Sequence, residues 1–98
     1  MNINKTQEDS RLTVALEGRL DTVTAPQLEG DLRSAVSGVT ELIFDLEKLD
    51  YVSSAGLRVL LSAQKVMNRQ GKMVIRNAKP EIIEIFDVTG FSDILNIE

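Results

Sequence analysis

The stretch ELIFDLEKLDYVSSAGLRVLLSAQKVMNRQ, residues 41–70, decides the fold of this 98-residue chain. Its first part, ELIFDLE, is a short and almost continuous apolar run, which is typical of a central strand covered on both faces. The part from Ser54 to Gln70 has the spacing of an amphipathic helix. A buried strand that passes directly into such a helix predicts one unit of an α/β fold.

The predicted helix 54–70 has one polar side. Five polar residues, separated by four, four, three and four positions, align along it: Ser54, Arg58, Ser62, Lys65 and Arg69. The other positions are mostly apolar and are expected to face the sheet, namely Leu57, Val59, Leu60, Leu61, Ala63, Val66 and Met67. The helix is therefore predicted to lie against the sheet, with Ser54 at the outer rim of its first turn.

The alternation of strand and helix continues after this helix. KMVIR, residues 72–76, predicts another buried strand. KPEIIEIFDVTG, residues 79–90, has a proline near a helix start and a glycine just past its end. ILNI, residues 94–97, predicts a short closing strand.

Two strands are predicted before the central stretch. RLTVALE, residues 11–17, alternates apolar and less apolar positions with the period of a strand that has one better-buried face. NINKT, residues 2–6, is a weaker strand, and the short polar connection between the two predicts a hairpin.

A helix over residues 25–37 is predicted between the hairpin and the central strand. Several signals mark its ends: Thr24 as N-cap, Pro26 in the first turn, a capping box of Thr24 with Gln27, a hydrophobic staple of Val23 on Leu28, and Gly38 as a left-handed C-cap. The whole order predicts an α/β fold with a mixed, mostly parallel sheet of about five strands and helices packed against it. The length predicts a single domain over residues 1–98.

Composition excludes several classes of function. The chain has no cysteine and no histidine, which removes disulfides, zinc sites of thiolate or imidazole, and nucleophilic triads with a histidine base. Fifteen acidic and eleven basic residues give a formal charge of −4, which argues against nucleic acid and favours a basic protein surface as partner. Without a signal sequence or an apolar run of membrane length, the chain is expected to stay in the cytoplasm and not to insert into a membrane.

The first candidate site is SSAG, residues 53–56. The plainer interpretation is that one serine caps the helix, a role worth about 1 kcal/mol. One serine suffices for that role, and the small Ala55 and Gly56 are expected to leave room for a partner. A phosphate on a hydroxyl at a helix N-terminus would be tolerated, because free N–H groups and the positive end of the helix dipole lie beside it.

Asp21 is the second candidate. It precedes the Thr24 cap, so it is either an acid placed favourably near a helix N-terminus or part of an acidic rim near Ser54.

Asp45, Glu47 and Asp50 form the third candidate, at the end of the central strand. Carboxylates there can bind a metal or accept a phosphoryl group, as in a response-regulator receiver. The chain lacks the acidic pair and the further strand–helix unit of a receiver, so solvated loop acids are the better interpretation.

Three segments together resemble the STAS domain, named for sulphate transporters and anti-sigma-factor antagonists: EGRLDTVTAPQL (17–28), ELIFDLEKLDYVSSAGL (41–57), which continues as LDYVSSAGLRVLL (49–61), and KPEIIEIFDVTGF (79–91). The likeness is greatest to the free-standing bacterial antagonists. It implies a binding protein without a catalytic site, cofactor or metal. Such a protein binds an anti-sigma factor that is a serine kinase and so releases a sigma factor. Phosphorylation by that kinase ends binding, and a PP2C-type phosphatase restores it.

By position, the resemblance places the phosphorylated serine at Ser54 and puts Asp21 in the partner surface. Ser53 stands where many antagonists have aspartate, so Ser53 is the alternative phosphorylation site. The expected partner-binding residues are Asp21, Thr24, Ser53, Ser54, Ala55, Gly56 and Arg58. Two alternatives stay open: a STAS subunit of a lipid- or anion-transport complex, and a nucleotide-binding or hydrolytic enzyme, for which no phosphate-binding glycine loop is present.

Overall fold

The computed structural model describes residues 1–98. The elements follow in the order β1 (Asn2–Glu8), β2 (Arg11–Leu20), α1 (Ala25–Ala35), β3 (Glu41–Val52), α2 (Ser54–Gln70), β4 (Lys72–Arg76) and α3 (Pro80–Thr89), and a short 3-10 helix spans Phe91–Asp93. The strands lie in the order β1-β2-β3-β4. β1 is antiparallel to β2, while β2, β3 and β4 are parallel. The predicted α/β fold with an antiparallel hairpin at one edge is confirmed.

The sheet has four strands instead of about five, because ILNI does not form a strand. After the left-handed Gly90, the 3-10 helix carries the chain to Asp93 and leaves only five residues. Ile97 forms a single parallel bridge with Ile75, which receives one N–H bond from Glu98 and donates one to Asn96, each 2.9 Å long. Two bonds on one residue fasten the terminus to β4 without extending the sheet.

The structure confirms the burial patterns that the sequence predicts for strands β2 and β3. In β2, Leu12, Val14 and Leu16 are buried and alternate with less buried residues. In β3, Leu42 to Phe44 are buried consecutively, as expected for a strand covered on both faces. Helix α2 and strand β4 begin and end at the predicted residues.

Helix α1 is shorter than predicted. It ends at Ala35, where the N–H of Val36 bonds to the carbonyl of Leu32 at 3.1 Å, and the chain then turns to bury Val39. Gly38 has the expected left-handed φ of 76° but lies beyond the helix end. The predicted hydrophobic staple of Val23 on Leu28 is also wrong, because Val23 is 84% exposed.

Gly56 lets α2 approach the sheet closely. A Cβ atom at this position would lie 2.6 Å from Leu20 Cγ and 2.9 Å from Val52 Cγ2. The expectation that Gly56 leaves room for a partner is therefore wrong. The space of its missing side chain is filled by the chain's own strands β2 and β3.

We expect Gly56→Ala to destabilise the fold by about 1 kcal/mol. Overpacking against Leu20 and Val52 costs about 1–3 kcal/mol, which outweighs the gain of about 1 kcal/mol from higher helix propensity. Gly30→Ala in α1 is the matched control, because nothing lies within 4 Å of its added Cβ. That variant should gain about 0.5–1 kcal/mol. Urea unfolding measures both, and equal gains would contradict the packing role of Gly56.

Candidate functional site

The carboxyl ends of β2 and β3 bring the two predicted sites together. Leu20 pairs with Val52 at the end of the ladder, and the N–H of Ser53 donates to the carbonyl oxygen of Leu20 at 2.8 Å. The chain therefore leaves β2 towards Asp21 at the same place where it leaves β3 towards α2. We call this place the switch corner, comprising Leu20, Asp21, Ser53 and Ser54.

Ser53 is the N-cap of α2, as one interpretation predicted. Its hydroxyl accepts the N–H of Gly56 at 3.3 Å, and its carbonyl accepts the N–H of Leu57 at 2.9 Å. Ser54 is the first residue of α2, is exposed, and takes no part in this cap. The two serines thus have different environments, one engaged in the fold and one open to solvent.

Asp21 and Thr24 hold each other in the turn between β2 and α1. The Asp21 carboxylate accepts the N–H of Val23 at 3.0 Å and that of Thr24 at 3.1 Å. The Thr24 hydroxyl accepts the N–H of Asp21 at 2.8 Å and donates to the carbonyl of Arg19 at 2.7 Å. Thr24 occupies the N-cap position, but its side chain makes no cap bond, so the predicted capping box with Gln27 is wrong. The reason is that the end of β2 already uses the hydroxyl.

The same turn keeps Asp21 ionised. The backbone N–H of Thr24 is the main cause that lowers the pKa of Asp21, and the N–H of Val23 and the charge of Arg19 lower it further. The Arg19 Nε lies 3.7 Å from Asp21 Oδ2, and its guanidinium lies 4.3 Å from the centre of the Tyr51 ring. A cation over an aromatic face is attracted by the ring.

Arg19 and Tyr51 were missed by the sequence interpretation. They are partners in the β2–β3 ladder, next to a register shift between Gly18 and Arg19. The alternation within each strand is visible in the sequence, whereas the register between two strands, and a bulge in it, are not.

The acids of the third candidate lie within β3, which continues to Val52, and not in a loop. Asp45 accepts the N–H of Glu47 at 3.1 Å and the side-chain amide of Asn77 at 3.2 Å. Asp50 binds the Lys79 ammonium at 2.6 Å. The structure has no group of three or more histidine, cysteine or acidic side chains arranged to hold a metal ion.

Fold and site together define a small α/β domain with an exposed serine at the head of a helix. The family model described as "STAS domain" matches residues 2–98, so the chain belongs to the STAS domain family. The predicted resemblance is thereby confirmed. None of its helices combines the length and the apolar character that a membrane crossing requires.

The comparisons also find named relatives along nearly the whole chain. BtrV of Bordetella bronchiseptica, provisionally named an anti-sigma factor antagonist, is 37% identical over 99 residues, which cover 99% of this chain and 85% of BtrV. The anti-sigma-B factor antagonist of Bacillus subtilis is 29% identical over 98 residues, covering 99% and 90% of the two chains. The fold is similar to that of the Bacillus cell fate determinant SpoIIAA in its phosphorylated form, with a TM-score of 0.78, 19% identity, and coverage of 99% and 91%.

The lowered pKa of Asp21 predicts a contribution to acid stability. A carboxyl whose pKa is lower in the folded chain stabilises it fully above its ordinary value of 3.8, and this stabilisation is lost as the pH falls through the folded pKa. Asp21→Asn should therefore flatten the pH dependence of the unfolding free energy on the acid side. Urea unfolding between about pH 2 and 6 measures it, a range that brackets carboxyl titration.

Asp9→Asn serves as the control, because Asp9 is exposed at the β1–β2 turn and asparagine tolerates its positive φ of 56°. That variant should keep the wild-type slope. The same slope in wild type and Asp21→Asn would refute the role assigned to this carboxylate.

Proposed function

We propose that this protein is an anti-sigma factor antagonist, a binding protein that works without catalysis and is switched off by phosphorylation of Ser54. The observation that carries the proposal is the division of roles at the switch corner. Ser53 caps α2 through the N–H of Gly56, and the neighbouring Ser54 is exposed. A modified Ser54 would change the surface while the cap stays in place.

The relatives support this class of function. BtrV and the Bacillus subtilis protein bear the name of antagonist and match over most of their own length, which favours a free-standing antagonist over a subunit of a transport complex. SpoIIAA, which has a similar fold, is known in phosphorylated and unphosphorylated forms.

In the proposed cycle, the unmodified chain binds an anti-sigma factor in the cytoplasm and so releases the sigma factor. The anti-sigma factor is itself a serine kinase, and its transfer of a phosphate to Ser54 ends the interaction. A PP2C-type phosphatase removes the phosphate. The proposed contact surface consists of Asp21, Thr24, Ser53, Ser54, Ala55 and Arg58, while Gly56 acts through packing and lets the corner form.

The effect of the phosphate on binding can be estimated from the electrostatic repulsion between charges. A phosphate adds about −1.5 to −2 charges. At about 6 Å from a partner carboxylate, the unscreened repulsion is on the order of 1 to 5 kcal/mol for effective dielectrics between 80 and 20. Since about 1.4 kcal/mol is tenfold in affinity, one phosphate within the interface can change binding decisively, and salt reduces the effect.

The head of α2 tolerates that phosphate in the folded chain. Ser54 and Ala55 are the first two residues of the helix, and their N–H groups have no partner within it. The helix dipole favours negative charge at this end, and α2 contains no acidic residue that would repel it.

We expect Ser54→Ala to bind the anti-sigma factor constitutively, whether or not the kinase is supplied with ATP. Ser54→Asp should weaken binding by at least about tenfold if its charge costs 1.4 kcal/mol or more. Calorimetric titration with the purified cognate kinase measures both affinities. Mass-spectrometric mapping after incubation with kinase and ATP should find the phosphate on Ser54.

Ser53→Ala is the matched control. It should lose about 1 kcal/mol of unfolding free energy with the cap, and it should still be phosphorylated at Ser54. Phosphate on Ser53 alone would move the switch to the capping serine and contradict the proposal.

A further inference from the structure

The basic side chains that form no ion pair within this protein all lie on one helix. Of the eleven lysines and arginines, eight form ion pairs with acids of the same chain. The remaining three are Arg58, Lys65 and Arg69, which are all exposed and all lie on α2. In a chain of formal charge −4, every lysine or arginine side chain without an internal partner thus belongs to one helix.

These three cations form a straight line along α2. At 100° per residue, Lys65 and Arg69 lie within about 20° of Arg58 around the helix axis. At 1.5 Å per residue, the line extends over about 16 Å. We call Arg58, Lys65 and Arg69 the cationic line.

The stability of α2 itself does not account for the cationic line. The helix dipole favours a cation only within the last turn, which contains Arg69 but neither Arg58 nor Lys65. No acid on α2 could pair with them at helical spacing, because the helix has none. The three charges have no partner within the fold.

An apolar groove runs beside the cationic line, between α1 and α2. Leu32 and Val36 of α1 and Val59, Ala63 and Val66 of α2 contribute its apolar lining, and the ion pair of Glu29 with Arg33 and the Ser62 side chain complete it. Val66 was predicted to face the sheet but is 40% exposed and opens into the groove. Around α2, Val66 lies about 80° from Arg58, so charge and groove are adjacent stripes of one surface.

We propose that the cationic line and this groove bind an acidic amphipathic helix of the anti-sigma factor. Its carboxylates would meet Arg58, Lys65 and Arg69, and an apolar side chain would insert beside Val66. Helices commonly bind to other proteins by laying an apolar face into such a groove. The inference rests on the proposed function, since it gives the chemistry of the segment that the proposed partner presents.

This segment explains how the phosphate would act. Ser54 lies one turn before Arg58 on the same side of α2. A partner carboxylate bound to Arg58 would therefore stand about one helical turn from a phosphate on Ser54, and the two negative groups would repel. A basic partner segment at this place would instead be attracted by the phosphate.

An acidic protein segment fits the line better than the other anionic partners. The line is a local exception to the net charge of −4, which taken alone favours a basic partner surface. Three cations on a chain of net charge −4 are few for the phosphate backbone of a nucleic acid or for an anionic membrane. The adjoining groove also requires an apolar group beside the charges, which an amphipathic helix supplies.

The test compares two variants of equal net charge in binding to the full-length cognate anti-sigma factor. R58Q/K65Q/R69Q removes the cationic line, and K5Q/K72Q/R76Q removes three cations that are paired on other elements. Association rates are measured at several salt concentrations, because charges at an interface act mainly on the association rate. We expect the first variant to associate at least tenfold more slowly at low salt and to lose most of the salt dependence, and the control to stay within about threefold.

The outcomes are distinct. Equal rates for the two variants would overturn the inference and leave the proposed function intact, whereas absence of binding by the wild type would remove both. Sedimentation of the free protein and flotation with phosphatidylserine vesicles test the other occupants. Self-association or vesicle binding that only R58Q/K65Q/R69Q abolishes would assign the face to a second copy or to a membrane, and would overturn the inference.

Discussion

Leu20 fixes the N-terminal end of α2 against the sheet through both its backbone and its side chain. Its carbonyl accepts the N–H of Ser53, and its side chain fills the space in front of Gly56. A protein interior is close-packed, so an added methyl group at this point has nowhere to go. Contacts inside the fold therefore set where α2 begins. The start of α2 in turn sets the positions of Ser53 and Ser54.

This constraint separates the structural from the functional hydroxyl. Ser53 is held by its bonds to Leu20 and Gly56, whereas Ser54 follows one residue later on the open side of the helix. On the other side of the corner, Asp21 and Thr24 are held by each other and by the end of β2. The result is a hydrogen-bonded frame beside the exposed hydroxyl of Ser54, and the unpaired basic side chains continue from it along α2.

Much of this architecture could be predicted from local patterns. The apolar run of β3 and the period of α2 are properties of single segments. Helix α2 has the predicted bounds, whereas β3 continues to Val52, five residues beyond the apolar run that predicted it. The predicted capping box at the start of α1 is wrong. Thr24 and Gln27 have the residue types of such a box, but the Thr24 hydroxyl donates to the carbonyl of Arg19 instead. Propensity describes what a side chain can do, and the neighbouring strand decides what it does.

The site could be predicted only in part, for a similar reason. The pair of serines was visible in the sequence, but the reason for Gly56 depends on Leu20 and Val52, which approach it from two other elements. The same holds for the ion pairs. The structure shows that the other eight lysines and arginines form ion pairs, and only this comparison identifies the three on the polar side of α2 as unpaired.

In the proposed switch, a phosphate on Ser54 changes the surface of this protein without changing its fold. The direct measurement is urea unfolding, with amide NMR spectra, of the chain produced with phosphoserine at position 54. We expect an unfolding free energy within about 1 kcal/mol of the unmodified chain, the size of a helix-dipole effect, and spectral changes confined to the switch corner and the first turns of α2. A loss of several kcal/mol, or changes that spread through the sheet, would contradict it, because the switch would then act by disrupting the packing of α2.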